Sequence, residues 1–289
     1  VSEKIAMKWS TLGLVLAVLI SLFVAGCTAP ESSSKTSDGG SSGTPAPAGK
    51  KLKIGVSIPA ADHGWTAGVI WWAEQMKTIH PDVEWVITPA DGPDKQIKDL
   101  ETMMVQGVDG VVVLATESAP LTPIAKQIHE RGILLINVDR GFLEPVADVF
   151  IEGDNTAFGR VAAEFFAEKL NGQGNIVMLE GAPSTVNTAR VAGFREVMKA
   201  HPGIKILDSQ AGEWRRDKAL NVTQTMLLKH PQIDAIWAAD DDMALGVEQA
   251  LKEASRTAWI VGGGGMKDVV KRVQDGDRGV RIGGRIDHD

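Results

Sequence analysis

Tyrosine is absent from the 289 residues, and cysteine occurs once, at Cys27. A lone cysteine excludes an internal disulfide, and its place near the start leaves the body of the chain without a thiol nucleophile. Basic clusters are also missing from the body, and the formal charge is −7. Phosphate binding wants a basic face, so nucleic acid is excluded as a partner. The six histidines show no metal-ligand spacing. His80, His201 and His230 each precede a proline, which is turn punctuation, so no metal and no cofactor is expected. No Ser/His/Asp arrangement stands where strands end, and no acid/base pair supports an enzyme. The run "GGGG" at 262–265 lacks both the G-x-G-x-x-G spacing and the Lys-Ser/Thr ending of a phosphate loop.

What is present first describes an exported protein. Lys4 and Lys8 precede the apolar run "LGLVLAVLISLFV" at 12–24, and small residues lead into Cys27 as "VAGC". Basic, apolar, then small is the order of an export signal, and the run is too short for a comfortable membrane span. The pattern resembles a bacterial lipoprotein signal with its lipobox. That implies a signal over residues 1–26, cleavage before Cys27, and a lipid on Cys27 that holds the chain to the outer face of a cell membrane. An uncleaved anchor gives the same location. Residues 28–50 are Ser, Gly, Pro, Thr and Ala with scattered charge. They cannot bury a core, so residues 27–50 read as a flexible tether.

From Leu52 onward, strand-like and helix-like segments alternate. Apolar runs at 52–58, 83–88, 110–115, 133–138, 149–153, 175–181, 204–209, 234–239 and 258–263 predict strands. Helical patterns fill the gaps, at about 65–79, 94–106, 119–131, 155–171, 187–200, 214–230, 241–254 and 266–275. Near-continuous apolar runs suit parallel strands covered on both faces, and βαβ crossovers build open, doubly wound α/β sheets. "HPDVEW" at 80–85 and "HPGIKI" at 201–206 open their strands alike, a hint of two similar halves, and "HPQIDA" at 230–235 repeats the punctuation.

Open parallel sheets bind ligands beyond the carboxyl ends of their strands. There the sequence collects Asp62, His63, Trp65, Thr116, Glu117, Asp139, Arg140, Thr185, Asn187, Arg190, Glu213, Trp214 and Asp240–Asp242. "LLINVDRGF" at 134–142 poses the question sharply, since a core strand ends in an acid and a base. Asp and Arg are planar forks that match the paired hydroxyls of a sugar edge, and indoles match its C–H faces. Trp65 and Trp214 as walls, with Asp139, Arg140, Arg190 and Asp240 around the rim, make a sugar-binding constellation. Duller readings compete. Asp139–Arg140 fits a surface ion pair, Trp65 fits packing at a helix start, and one of Asp240–Asp242 should cap the helix near 241. Asp241 or Asp242 is the expected cap. Trp71 and Trp72 read as core or surface.

The segments "NVDRGF" (137–142), "EGDNTAFG" (152–159), "VAGF" after Arg190, "SQAGEWRRDKALNVTQTML" (209–227) and "AADDDMALG" (238–246) together resemble the periplasmic sugar-binding proteins of the ribose/galactose type, the solute receptors of ABC importers. The resemblance covers about Leu52 to Asp277. It implies the type 1 periplasmic-binding-protein fold: α/β, two Rossmann-like lobes with parallel sheets joined by a hinge, here 51–153 and 154–289. It implies a monomer that closes on a monosaccharide and is then recognised by a membrane permease. It places sugar contacts on His63, Trp65, Asp139, Arg140, Arg190, Trp214 and Asp240. Ribose-type members carry Asn where Asp240 stands, so the swap is expected to remove a donor and add charge. Gly264 stands where the family often has Asp. Both changes point to a ligand other than ribose.

In the family the chain returns to the first lobe after the region near 280. Here "DGDRGVRIGGRIDHD" ends the sequence, with Val280 and Ile282 as the only short strand candidate. The expectation is a truncated or frameshifted tail, a first lobe lacking its last elements, and one hinge crossing where the family has three. Rival readings remain open at this point. They are a ligand-presenting sensor, a repressor-like regulator (with a lipobox where its DNA-binding helices belong), an exported enzyme, and a binder of a nucleoside or furanosyl signal.

Overall fold

The computed structural model describes residues 51–275. The expected export signal, Cys27, the tether and the tail from residue 276 lie outside the described residues. Nine strands and eight helices alternate within them. The first half runs β1 (Lys53–Pro59), α1 (Gly64–Ile79), β2 (Glu84–Ala90), α2 (Pro93–Val105), β3 (Gly110–Val113), α3 (Ser118–Glu130), β4 (Leu134–Val138) and β5 (Val149–Ile151). The second runs α4 (Asn155–Lys169), β6 (Gly174–Glu180), α5 (Thr185–Met198), β7 (Ile204–Ala211), α6 (Arg216–Lys229), β8 (Ala235–Ala238), α7 (Asp241–Glu253), β9 (Trp259–Val261) and α8 (Lys267–Gln274).

Every strand pairing is parallel, in two sheets ordered β2-β1-β3-β4-β5 and β7-β6-β8-β9. Each sheet winds outward from its first strand, first to one side and then to the other. The crevice where that direction reverses lies beside β1 in one sheet and β6 in the other. The matching His-Pro openings belong to β2 and β7, the equivalent edge strands. Among the described residues the chain passes between sheets once, over Glu152–Asp154.

Each half has its own core. In the second, Phe194 stacks on Trp237 at 4.5 Å and meets Phe166 edge-on at 5.7 Å. Trp237 is fully buried, and all four residues of β8 are buried with it. In the first, Leu100, Met103, Leu121, Ile128 and Leu135 pack together. Each such side chain contributes roughly 1.5–3 kcal/mol by leaving water.

The expectation of strands covered on both faces needs correction at one edge. All three residues of β5 are exposed, and Leu134 at the start of β4 is 47% exposed, although Leu135 beside it is buried. β5 is a three-residue strand at the sheet edge, and among the described residues no strand pairs with its open side. Several boundaries moved, two of them for a backbone reason. Glu213 and Trp214 are left-handed, at φ 56° and 64°, so the helix expected from 214 starts at Arg216. The last strand stops at Val261 because Gly262–Gly265 follow, two of them with positive φ. Trp71 and Trp72 lie on the surface of α1, edge-on at 4.8 Å. No helix among the described residues is long and apolar enough to cross a membrane.

Candidate functional site

The loops after β1, β4, β6, β7 and β8 meet in one cleft between the two sheets. Its walls touch. The Gly64 N–H at the start of α1 donates to Asp242 Oδ2 at 2.8 Å, and the Gly141 N–H donates to Thr185 Oγ1 at 2.7 Å. The Thr185 N–H in turn donates to Ser118 Oγ at 3.0 Å. All three bonds run between the first half and the second, so the cleft is closed.

Asp139 leaves β4 with φ 62°, a conformation sparsely populated by non-glycine residues. Its N–H donates to the Ile151 carbonyl at 2.7 Å, which fixes the turn. Burial pushes its carboxyl above the usual range, against the attraction of Arg140, Arg190 and His63 and a hydrogen bond with the Trp65 side chain. Arg140 is 4% exposed, which rules out the surface ion pair. Its Nη1 donates to the carbonyls of Thr116 at 3.1 Å and Ala115 at 3.4 Å, and its guanidinium lies 5.9 Å from the Trp214 ring centre. Burial lowers its pKa, opposed by Asp139, Asp62 and Asp240.

Arg190 comes from α5 and is held on three sides. Nε donates to Asn155 Oδ1 at 2.9 Å, and Nη1 to the Ala239 carbonyl at 2.7 Å. Its guanidinium covers Phe158 at 4.0 Å and faces Trp214 at 5.5 Å. Trp214 therefore lies beside both arginines. It is buried, and its Nε1 has no hydrogen-bond partner among the described residues.

Trp65 differs from Trp214. It is 53% exposed, so the two indoles are not equivalent walls, and Trp65 does not pack into the core at its helix start. His63 occupies the N-cap position of α1 without a side-chain cap. Its Nδ1 pairs with Asp62 Oδ1 at 2.6 Å, beside Thr66 Oγ1 at 3.2 Å. Burial alone would raise the Asp62 carboxyl, but the hydrogen bond and charge of His63, with Thr66, hold it below its ordinary value.

Asp240 corrects the expectation about the cap. The N-cap of α7 is Asp240 itself, extended at φ −153°, whose Oδ1 accepts from the Met243 N–H at 2.8 Å. Asp241 and Asp242 fall inside the helix. Asp241 Oδ2 accepts from the Met266 N–H at 2.8 Å, and its carboxylate also receives the N–H groups of Gly263 and Gly265. The glycine run is thus wrapped around an internal carboxylate. Gly264, at φ 131°, presents only backbone.

The structure brings His63, Trp65, Asp139, Arg140, Arg190, Trp214 and Asp240 to this one cleft. Sequence reasoning missed residues that position them, Asn155 and Phe158 for Arg190, Gly181 for Trp214 and Ser118 for closure, and it read Asp242 as a candidate helix cap where the structure has it bridge to Gly64. Asn155 and Phe158 lie in "EGDNTAFG", but nothing local links that stretch to an arginine 35 residues on. Among the described residues no cluster of His, Cys, Asp and Glu is placed to hold a metal ion.

The family described as periplasmic binding protein domain matches residues 54–278. The D-ribose/D-allose-binding protein of Pseudomonas aeruginosa is 33% identical over 63% of this chain and 59% of its own length. This chain thus spans less than two thirds of that relative. The ribose import binding protein of Bacillus subtilis is 27% identical over 78% of this chain and 74% of its own. Among solved structures, the binding protein of the arabinose ABC transporter from Shewanella sp. ANA-3, bound to α- and β-L-arabinofuranose, superimposes with a TM-score of 0.73. It is 27% identical, covering 78% of both chains.

Proposed function

The chain belongs to the periplasmic binding protein domain family, and on that premise we propose that it captures a monosaccharide between two lobes, 51–153 and 154–289, and delivers it to an ABC-type importer. The observation that carries this reading is the pair of guanidiniums, Arg140 and Arg190, held by backbone and side-chain acceptors at 5.9 and 5.5 Å from the buried Trp214 ring centre. Asp139 lies within the field of both arginines. That set offers fixed donors, an acceptor and an aromatic face, which is what a polyhydroxylated ring requires. The relatives named above bind ribose, allose and arabinofuranose, which supports a sugar of pentose or hexose size.

The chain acts outside the cytoplasm as a binding protein without catalysis. We further propose that it works as a monomer anchored through a lipid on Cys27. Closure is the mechanism. A ligand that bridges both halves binds the closed form better and shifts the population toward it, and the permease reads that form.

Intrinsic tryptophan fluorescence titrated with pentoses, hexoses and polyols tests the reading. One sugar should give a saturable change, and Asp139→Ala should weaken its binding at least about a hundredfold, since a buried charged partner is lost. A cooperatively melting protein that responds to none of them would overturn it.

A further inference from the structure

Resting on the sugar-binding reading above, we propose that Asp240 enters the closed cleft as a carboxylic acid and donates its proton in a hydrogen bond to an oxygen of the bound sugar, which makes capture depend on pH. Three consecutive acids begin α7, and their surroundings differ. Asp241 receives backbone N–H groups from Gly263, Gly265 and Met266. Asp242 receives the Gly64 N–H at 2.8 Å and Arg216 Nη2 at 2.9 Å. Both carboxylates thus accept several hydrogen bonds, although burial still pushes the Asp241 carboxyl above its ordinary value. Asp240 receives only the Met243 N–H on Oδ1, and its Oδ2 makes no hydrogen bond within the described residues.

The two arginines that face Asp240 direct part of their donor set elsewhere, and neither donates a hydrogen bond to it within the described residues. Arg190 directs Nε to Asn155 and Nη1 to the Ala239 carbonyl. Arg140 directs Nη1 to the Ala115 and Thr116 carbonyls. The remaining ionisable groups of the cleft are Asp139 from the end of β4, and Asp62 with His63 from the loop before α1. His63 is already paired with Asp62. An anion here would thus lie in a closed cleft, next to two other carboxylates, with one backbone amide in support. The group is pushed up to about 8. Burial is the largest cause, and Asp242 and Asp241 add to it, while the Met243 N–H and Arg190 oppose it.

On this proposal one expectation from the sequence changes. An aspartate in this place was expected to remove a donor and add charge. A protonated carboxyl instead presents one donor and one acceptor, the pattern of a carboxamide, and adds no charge at neutral pH.

The experiment is the affinity for the sugar identified by fluorescence, measured from about pH 6 to about pH 9.5 on the wild-type chain and on Asp240→Asn. Wild-type affinity should fall by up to about tenfold for each unit above pH 8. Asp240→Asn, whatever its affinity at neutral pH, should show no such fall. A flat wild-type profile would overturn the proposal. So would a variant as steep as wild type, which would assign the titration to Asp139. If no sugar binds either protein at any pH, the functional reading fails instead, and the Asp240 carboxyl carbon, followed by NMR in the free chain, decides the protonation. A midpoint near 8 supports the proposal, and one in the ordinary carboxylate range overturns it.

Discussion

Trp214 occupies space that only a glycine at 181 leaves open, because a β-carbon on Gly181 would overlap the indole ring itself. The indole cannot retreat easily. It sits on two consecutive left-handed residues and beside both site arginines. Gly181→Ala should therefore displace the ring, weaken sugar binding at least about tenfold and alter the near-ultraviolet circular dichroism. Unchanged affinity with an unchanged aromatic spectrum would show that the ring has room to move. Neither Gly181 nor the cap was legible in the sequence. An apolar strand ending in Glu-Gly does not announce an indole arriving from a loop 33 residues later. Three successive aspartates offer the same cap chemistry, and only the point where the backbone turns from extended to helical selects Asp240. The residues that present planar polar groups at strand ends were legible, because the strands themselves were.

At the level of elements, α4 and α5 cross where two glycines allow it. A β-carbon on Gly159 would overlap the Arg190 carbonyl, and one on Gly193 would overlap the Thr156 carbonyl. This crossing brings Asn155 and Phe158 of α4 against Arg190 of α5. Gly159→Ala should destabilise the chain by about 1–3 kcal/mol or more, since the obstacle is backbone, and should weaken sugar binding with it. Thermal melts with and without sugar would measure both, and an unaltered melting temperature would contradict the close crossing. On β7, Asp208 is held down to about 2, chiefly by its hydrogen bond with Lys229 against the cost of burial, with help from His230, Gln210 and the Ser209 N–H. A depressed carboxylate contributes stability that is complete above its unfolded value of about 3.9 and is lost as pH falls toward 2. Asp208→Asn should thus lower the melting temperature at pH 6–7, with the difference from wild type shrinking toward zero as pH approaches 2. A difference constant with pH would locate the effect in packing instead. Element order was readable because buried parallel strands are short apolar runs separated by amphipathic helices. Element ends were less so, since the glycine run after β9 and the left-handed pair before α6 act through backbone geometry. β5, apolar yet exposed, shows that a run of apolar residues does not by itself say whether anything covers it.

For the whole molecule, the decisive contacts are the few that join the two halves. Asp242 lies in α7 of the second half, yet its Oδ2 accepts from Gly64 at the first turn of α1 in the other half, where the helix end favours negative charge. Its Oδ1 is fixed by Arg216, so the carboxylate is already aimed when the halves meet. Ser118 and Thr185 form a second, neutral contact across the cleft. None of these bonds exists once the halves part, so each stabilises the closed form alone. A hydrogen bond to a charged group is worth about 1.5–3 kcal/mol, which is about ten- to a hundredfold in the closed-to-open ratio. Asp242→Ala should then weaken sugar binding by up to that factor, because apparent affinity scales with the fraction of competent, closed molecules. Ser118→Ala should do so by less. The shape of the molecule separates this account from a direct sugar contact. Small-angle scattering of unliganded Asp242→Ala should give a larger radius of gyration than wild type, and saturating sugar should restore the wild-type value. If affinity drops while the unliganded radius stays the same, Asp242 acts on the sugar or on its neighbour Asp240, and the bond to Gly64 does not govern closure.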